Sequence, residues 1–220
     1  MAKPLLIIGN KNYSSWSLRP YMMLAMAGIA FDEKLITFGD PDFSKKVRRI
    51  SGAGQVPILV HNRITTWDSL AIMEYLADAF PQKHIWPANK AARAMARSAA
   101  AEMHSSYRGL RNACPMNLRR PRKLPPSGIT EAIKKDVARI EALWAQCRKA
   151  HGKGGDFLFG KFSAADAMFT PVVTRLDTFA IPVKPATRRY IEVIMKTAAF
   201  QTWKTAALQE KEIVPEDEVD

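Results

Sequence analysis

The chain opens with short apolar runs and changes, after its first third, to apolar residues that recur at helical spacing. Leu5-Leu6-Ile7-Ile8 reads as a β run. Leu18, Tyr21, Met22 and Ala25 place a helix over 17–28 that stops at Gly28, and Leu35 to Phe38 is apolar again. That order is β-α-β. Beyond Gly52 and Gly54, Pro57 to Val60 and Ile64 to Thr66 flank a polar His61-Asn62-Arg63 turn, the pattern of a β-hairpin. A helix from Ser69 to Phe80 follows, with Asp68 at its N-cap.

Pro81 to Pro87 holds two prolines and no sustained periodicity, and no convincing strand pattern appears after it. Helices are predicted near 89–113, 130–150, 163–179, 186–198 and 200–211, with a Pro/Arg-rich loop from Arg119 to Ser127. Ser163-Ala164-Ala165-Asp166 fits a capping box, in which the serine hydroxyl meets the N3 amide and the carboxylate reaches back to the serine amide. The expected fold class is an α+β N-terminal domain, βαβ-ββα with a mixed sheet, over residues 1–80. A linker over 81–87 and an all-α helical domain over 88–220 complete it. Glu210 to Asp220 has six acids against one lysine and reads as a frayed tail.

Hydrophobic residues at 47% and charged residues at 25% suffice for a sizeable core and exclude general disorder. No apolar stretch approaches the roughly 20 residues of a spanning helix, and the N-terminus lacks a secretory pattern. A cytoplasmic protein with no membrane partner is expected. Cys114 and Cys147 are too few for a disulfide framework and match no metal spacing, so both read as free thiols and no metal is expected.

The net charge of +12 admits anionic partners and lies mainly in the second part, with 23 Lys/Arg against 14 Asp/Glu from Pro87 onward and 10 against 7 before it. Residues 93–123 hold eight basic residues against the single acid Glu102. Tyr107 is the only aromatic among them, too few for base stacking, so nucleic acid ranks below a solvated face or an anion-attracting wall beside a ligand site.

The turn Asn12-Tyr13-Ser14-Ser15-Trp16-Ser17-Leu18-Arg19 places three hydroxyls where a helix begins, and helix N-termini attract anions through free amides and the dipole. It resembles the turn that carries C-x-x-C in thioredoxin-like proteins, with Ser14 and Ser17 in the cysteine places, which excludes disulfide exchange there. Taken with Gly54–Leu59, Asp68–Leu76 and Phe159–Asp166, the segment Ser14–Arg19 resembles the cytosolic glutathione transferases, whose thioredoxin-like N-terminal domain precedes an all-helical one. The match is to serine-type, zeta- or tau-like bacterial members.

That resemblance implies glutathione as co-substrate, its thiol activated as thiolate for attack on a small electrophile, in detoxification. Ser14 would hydrogen-bond the sulfur, with Ser15 the alternative and Tyr13 a further one. Such a donor at a helix N-terminus lowers a thiol from its usual pKa of about 8.5. Val56, before the family's cis proline at Pro57, would bond the cysteinyl backbone beside Gln55, and Asp68 and Ser69 would hold the γ-glutamyl end. For the glycine carboxylate, Lys45 and Lys46 are candidates by charge alone. The electrophile would lie against Met103, Tyr107, Arg108 and Arg111, with Met95 and Met116 extending an adaptable wall, and Arg111 would favour an anionic or polarised one.

The family forms two-fold dimers, and Glu74 and Asp78 opposite Arg93 and Arg97 would suit a homodimer. Trp16 stands where zeta-class members carry cysteine, which counts against a glutathione-dependent isomerase of the zeta type. That isomerase, and a non-catalytic binding module on the same fold, are the alternative readings; a binder of anionic polymers is the third.

Overall fold

The computed structural model describes residues 2–219. Its sheet has the order β2-β1-β3-β4, formed by β1 (Leu5–Ile8), β2 (Asp32–Leu35), β3 (Ile58–His61) and β4 (Ile64–Trp67). β1 is parallel to β2 and antiparallel to β3, and β3 and β4 make the hairpin, so the sheet is mixed. β1 is apolar at every position because both its faces are covered. Leu6 and Ile8 enter the main core with residues of α1 (Ser15–Met26) and α3 (Ser69–Ala79), while Ile7 joins Ile58, Ile36 and Val47 of the short α2 (Phe43–Arg48).

The strand expected at Leu35–Phe38 lies at Asp32–Leu35 instead. β2 pairs on one side only, and all four of its residues are exposed. An edge strand tolerates charge and is protected by it from pairing with other chains, so its position is not marked by apolar residues. Ile36, just past it, is buried and donates its amide to the Ile8 carbonyl. α1 begins two residues before the expected start, with Ser14 at the N-cap, because the Ser14 hydroxyl supplies the acceptor that this helix end requires.

Beyond Pro87 follow α4 (Lys90–Ser105), α5 (Arg108–Ala113), α6 (Glu131–His151), α7 (Ala164–Thr178), α8 (Pro185–Lys196) and α9 (Ala198–Gln209). Only isolated bridges, around Phe157–Lys161, occur there among the described residues. The single helix expected over 89–113 is therefore two. Its apolar spacing runs on through Met103, Tyr107, Leu110 and Cys114, so periodicity does not show the break. Tyr107 takes a left-handed φ of +63° and its hydroxyl donates to Glu102 at 2.7 Å, while Asp136 of α6 accepts the Leu110 amide at 2.9 Å and caps the new helix start.

Among the described residues the acidic end is not frayed. Glu210 accepts the Lys11 and Asn12 amides at 2.7 and 3.0 Å, Glu212 accepts the Asn10 side chain, and Glu218 accepts the Tyr13 hydroxyl. Arg119 donates to the Glu212 carbonyl at 2.6 Å and Arg120 to that of Val219 at 2.9 Å. The acidic run is thus held mainly by neutral donors and by arginines on its carbonyls, and Arg119 also pairs with the Glu218 carboxylate at 3.7 Å.

α1 packs across α7, and this contact joins the sheet region to the helices. Every α7 residue from Ala164 to Leu176 is buried, and the expected capping box starts the helix. The wholly enclosed Asp166 accepts from the Ser163 amide and hydroxyl, the Leu158 amide and the Tyr190 hydroxyl, each at 2.9 Å. Burial nonetheless pushes its carboxyl above the ordinary range. No helix among the described residues is long and apolar enough to cross a membrane. Asp166→Ala strands four donors in the interior, and a loss of about 3–5 kcal/mol in urea unfolding is expected.

Candidate functional site

A cleft of about 1040 Å³ opens where the start of α1 and the start of α3 face the α4–α5 corner. Ser14, Ser15, Gln55, Val56, Asp68 and Ser69 all line it, as do Arg108 and Arg111 opposite. Met103 and Tyr107, expected in the same wall, do not. Both are buried in the main core, since the turn at Tyr107 swings its ring inward toward Phe169. Met95 is likewise packed on the core, and Met116 alone of the three expected methionines reaches the cleft. Lys45 and Lys46 lie outside it, exposed on α2, where Lys46 pairs with Asp40.

The start of α1 is tightly knit. The Ser17 amide donates to Ser14 Oγ at 3.3 Å, the Ser14 hydroxyl to Ser17 Oγ at 2.7 Å, and the Gly9 amide to Ser17 Oγ at 3.2 Å. Gly9 has no room for a side chain, because a Cβ would stand 2.5 Å from the Phe38 ring, itself part of the cleft wall. Ser15 Oγ makes no hydrogen bond among the described residues. The Tyr13 hydroxyl is already engaged, donating to Glu218 and accepting from Arg119 at 2.6 Å, and burial, then Glu218, raise its pKa. Two serine hydroxyls are thus the groups able to turn toward a guest. The Val56–Pro57 bond beside them is cis.

At the start of α3, Asp68 Oδ1 accepts the Leu70 and Ala71 amides at 2.8 and 3.2 Å, and its Oδ2 meets His104 Nε2 at 3.3 Å. Ser69 Oγ accepts from Arg19 Nη1 at 3.1 Å, which leaves its own proton free for the cleft. Arg19 is wholly buried, its Nε and Nη2 have no partner, and among the described residues no carboxylate lies within ion-pair distance. Its guanidinium lies 4.0 Å from the centre of the Trp16 ring, and Arg111 approaches the same ring at 5.1 Å. Burial first, then the charges of Arg111 and Arg175, hold the Arg19 pKa well below its usual value.

Arg175, on α7, is the third cation of the far wall. Its Nε donates to the Cys114 carbonyl at 2.8 Å, and burial together with Arg111 brings its pKa down to about 10. Asp217 of the C-terminal segment also lines the cleft; burial raises its carboxyl and Arg175 opposes the rise. Sequence reasoning missed Arg19, Arg175, His104 and Asp217. The first two carried a usable signal, since each is a lone cation within an apolar helical run. Arg97 and Glu74, expected to pair across a dimer, form a two-pronged ion pair inside the chain at 3.1 and 2.7 Å.

Residues 13–79 match the family model described as glutathione S-transferase, N-terminal domain. Over these residues the chain carries a glutathione S-transferase N-terminal domain. It is 23% identical over 202 residues to a probable maleylacetoacetate isomerase of Caenorhabditis elegans, covering 90% of this chain and 91% of that one. To glutathione S-transferase 1 of Dianthus caryophyllus it is 29% identical over 167 residues, covering 73% and 72%. Among solved structures, a glutathione transferase homolog from Burkholderia with bound glutathione superposes with a TM-score of 0.70 at 22% identity, covering 93% of this chain and 97% of that one. A diazinon-metabolizing glutathione S-transferase of Bombyx mori gives 0.72 at 14% identity, with coverage of 94% and 98%. The mixed sheet followed by helices is the glutathione S-transferase fold.

Two expectations follow from the site's electrostatics. Arg19→Met removes an enclosed cation that no carboxylate meets at ion-pair distance among the described residues, Asp68 acting on it only from further away, so denaturant unfolding should show stability equal to wild type or about 1–2 kcal/mol higher; a clear loss would mean that its contact with Ser69 outweighs its desolvation. Cys114 and Cys147 are both enclosed, with thiols pushed up to about 11 by burial. Both should therefore resist a thiol reagent at neutral pH and react only on unfolding.

Proposed function

We propose that the chain is a glutathione transferase that activates glutathione as its thiolate and delivers it to a small electrophile bearing negative or polarised charge. The observation that carries this reading is the meeting, in one cleft, of the α1 hydroxyls with Gln55, Val56, Asp68 and Ser69 on one side and three guanidinium groups on the other. Asp68 offers a carboxylate to the γ-glutamyl ammonium, and the Ser69 hydroxyl, backed by Arg19, donates to the γ-glutamyl carboxylate. Gln55 and Val56 hold the cysteinyl backbone. The sulfur then reaches the start of α1, where Ser14 donates to it, with Ser15 the alternative donor.

The thiol proton leaves to water, and the hydroxyl and the helix dipole favour the anion that remains. The thiolate forms a carbon–sulfur bond with the electrophile, and the leaving group departs with the electron pair or the charge passes to a conjugated carbonyl. Arg111 and Arg175 face that charge. The relatives named maleylacetoacetate isomerase favour the isomerase as second reading, against which stands Trp16. Homodimer formation and a cytoplasmic setting belong to the same proposal. Asp78 and Arg93 remain for a dimer contact, Arg93 already donating to the Pro87 and Ala88 carbonyls, and sedimentation velocity reads the outcome.

Calorimetric titration with glutathione is the deciding experiment. Saturable binding is expected in wild type and in Ser14→Ala, with affinity falling about tenfold or more in Ser69→Ala. In conjugation assays Ser14→Ala should lower kcat about 10–100-fold, the worth of one hydrogen bond to a charged group, and Ser15→Ala should change it little. Absence of glutathione binding in wild type would overturn the reading, and binding without turnover of any electrophile would leave a binding module.

A further inference from the structure

The hydroxyl pair at the start of α1 contains a group that the mechanism above does not use. Ser17 Oγ lies 2.7 Å from Ser14 Oγ, the normal spacing of an O–H···O bond, yet Ser17 is wholly enclosed while Ser14 borders the cleft. Ser17 Oγ also accepts the Gly9 amide at 3.2 Å, and its own amide donates to Ser14 Oγ at 3.3 Å. Each hydroxyl has one proton and two acceptor sites. One proton bridges the oxygens, and which serine supplies it is open to rotation.

From this geometry we infer that Ser17 is a positioning residue: when the Ser14 proton turns to the glutathione sulfur, the Ser17 proton turns onto Ser14 Oγ and holds that donor in place. The inference rests on the assignment of Ser14 made above. With Ser14 donating outward, its oxygen receives both the amide and the hydroxyl proton of Ser17, which fills its acceptor sites and fixes its rotor. A hydroxyl that accepts becomes a better donor, because hydrogen bonds in series polarise one another. The Gly9 amide closes the chain at its inner end and keeps Ser17 Oγ in register. The reversal exchanges one bridging proton for the other and leaves no buried hydroxyl unpaired. No water is needed, in keeping with the enclosure of Ser17.

A residue that acts only through Ser14 leaves a distinctive signature. The readout is the ultraviolet absorbance of bound glutathione thiolate, titrated against pH in wild type, Ser17→Ala, Ser14→Ala and the double variant, with kcat followed over the same range. Ser17→Ala is expected to move the thiolate titration upward by about half to one pH unit, to lower kcat at neutral pH with recovery in alkali, and to leave the Kd for glutathione near that of wild type. Ser14→Ala should move the titration further, and adding Ser17→Ala to it should move it no more, since the partner through which Ser17 acts is gone.

Ser17→Cys preserves the enclosed volume with a weak donor and should fall between wild type and alanine; it supplies the comparison if the alanine variant fails to fold. A titration unmoved by either Ser17 substitution, or effects of Ser14→Ala and Ser17→Ala that add in the double variant, would overturn the inference. A titration unmoved by Ser14→Ala would instead overturn the assignment of Ser14 on which it stands.

Discussion

Helix α1 is enclosed along its central length: Ser17 through Leu24 are all buried, and the helix lies against α3, α7 and α9. A helix so surrounded has no freedom to turn about its axis, because rotation would expose apolar side chains that each contribute roughly 1.5–3 kcal/mol when buried. Its first turn is therefore delivered to a fixed place with fixed orientation. Ser14, Ser15 and Trp16 border the cleft for that reason. The same constraint carries Arg19 inward, where the stem has apolar company and the head meets only Ser69 and the Trp16 ring.

The cleft is then a problem of unequal charge. Arg108, Arg111 and Arg175 face it, and Arg19 stands behind Ser69, whereas Asp68 and Asp217 are the carboxylates that border it. Asp68 is partly committed to the α3 amides and to His104. Burial first, and the neighbouring guanidinium charge second, lower the pKa values of Arg19, Arg111 and Arg175, so holding these groups here works against folding. An anionic guest of the kind proposed above would supply the missing charge. Stability is spent here to hold an electric field in readiness.

Much of this architecture was legible in the sequence where local chemistry and packing agree. The apolar β1 run, the hairpin, the Asp68 cap and the Ser163–Asp166 box all announce themselves, because each residue type serves its own neighbours. Legibility failed where a distant partner decides. The edge strand β2 is charged because nothing covers it, and the break at Tyr107 depends on Glu102 and on Asp136 from another helix. Around the cleft, the helix starts at Ser14 and Asp68 were readable from their caps, whereas Met103 and Tyr107 were misplaced because a family resemblance indicates which helix faces the cleft and not which of its side chains pack on the core. His104 and Asp217 reach the cleft only through tertiary folding, and no local pattern marks them.

The acidic C-terminal segment gives the cleft rim an unusual provenance. Glu210 holds the Lys11 amide across a separation of 199 residues, so the rim is stitched from segments far apart along the chain. The entropy of closing a loop rises only logarithmically with its length, so joining such distant segments costs little more than joining near ones. The timing differs more than the energy. During synthesis the turn that holds the serines emerges well before its clasp, so the rim takes its final form only after Glu210 has appeared. A nascent chain short of residue 210 has its sheet and its serines, and lacks the acidic contacts that complete the fastening of the loop that carries them.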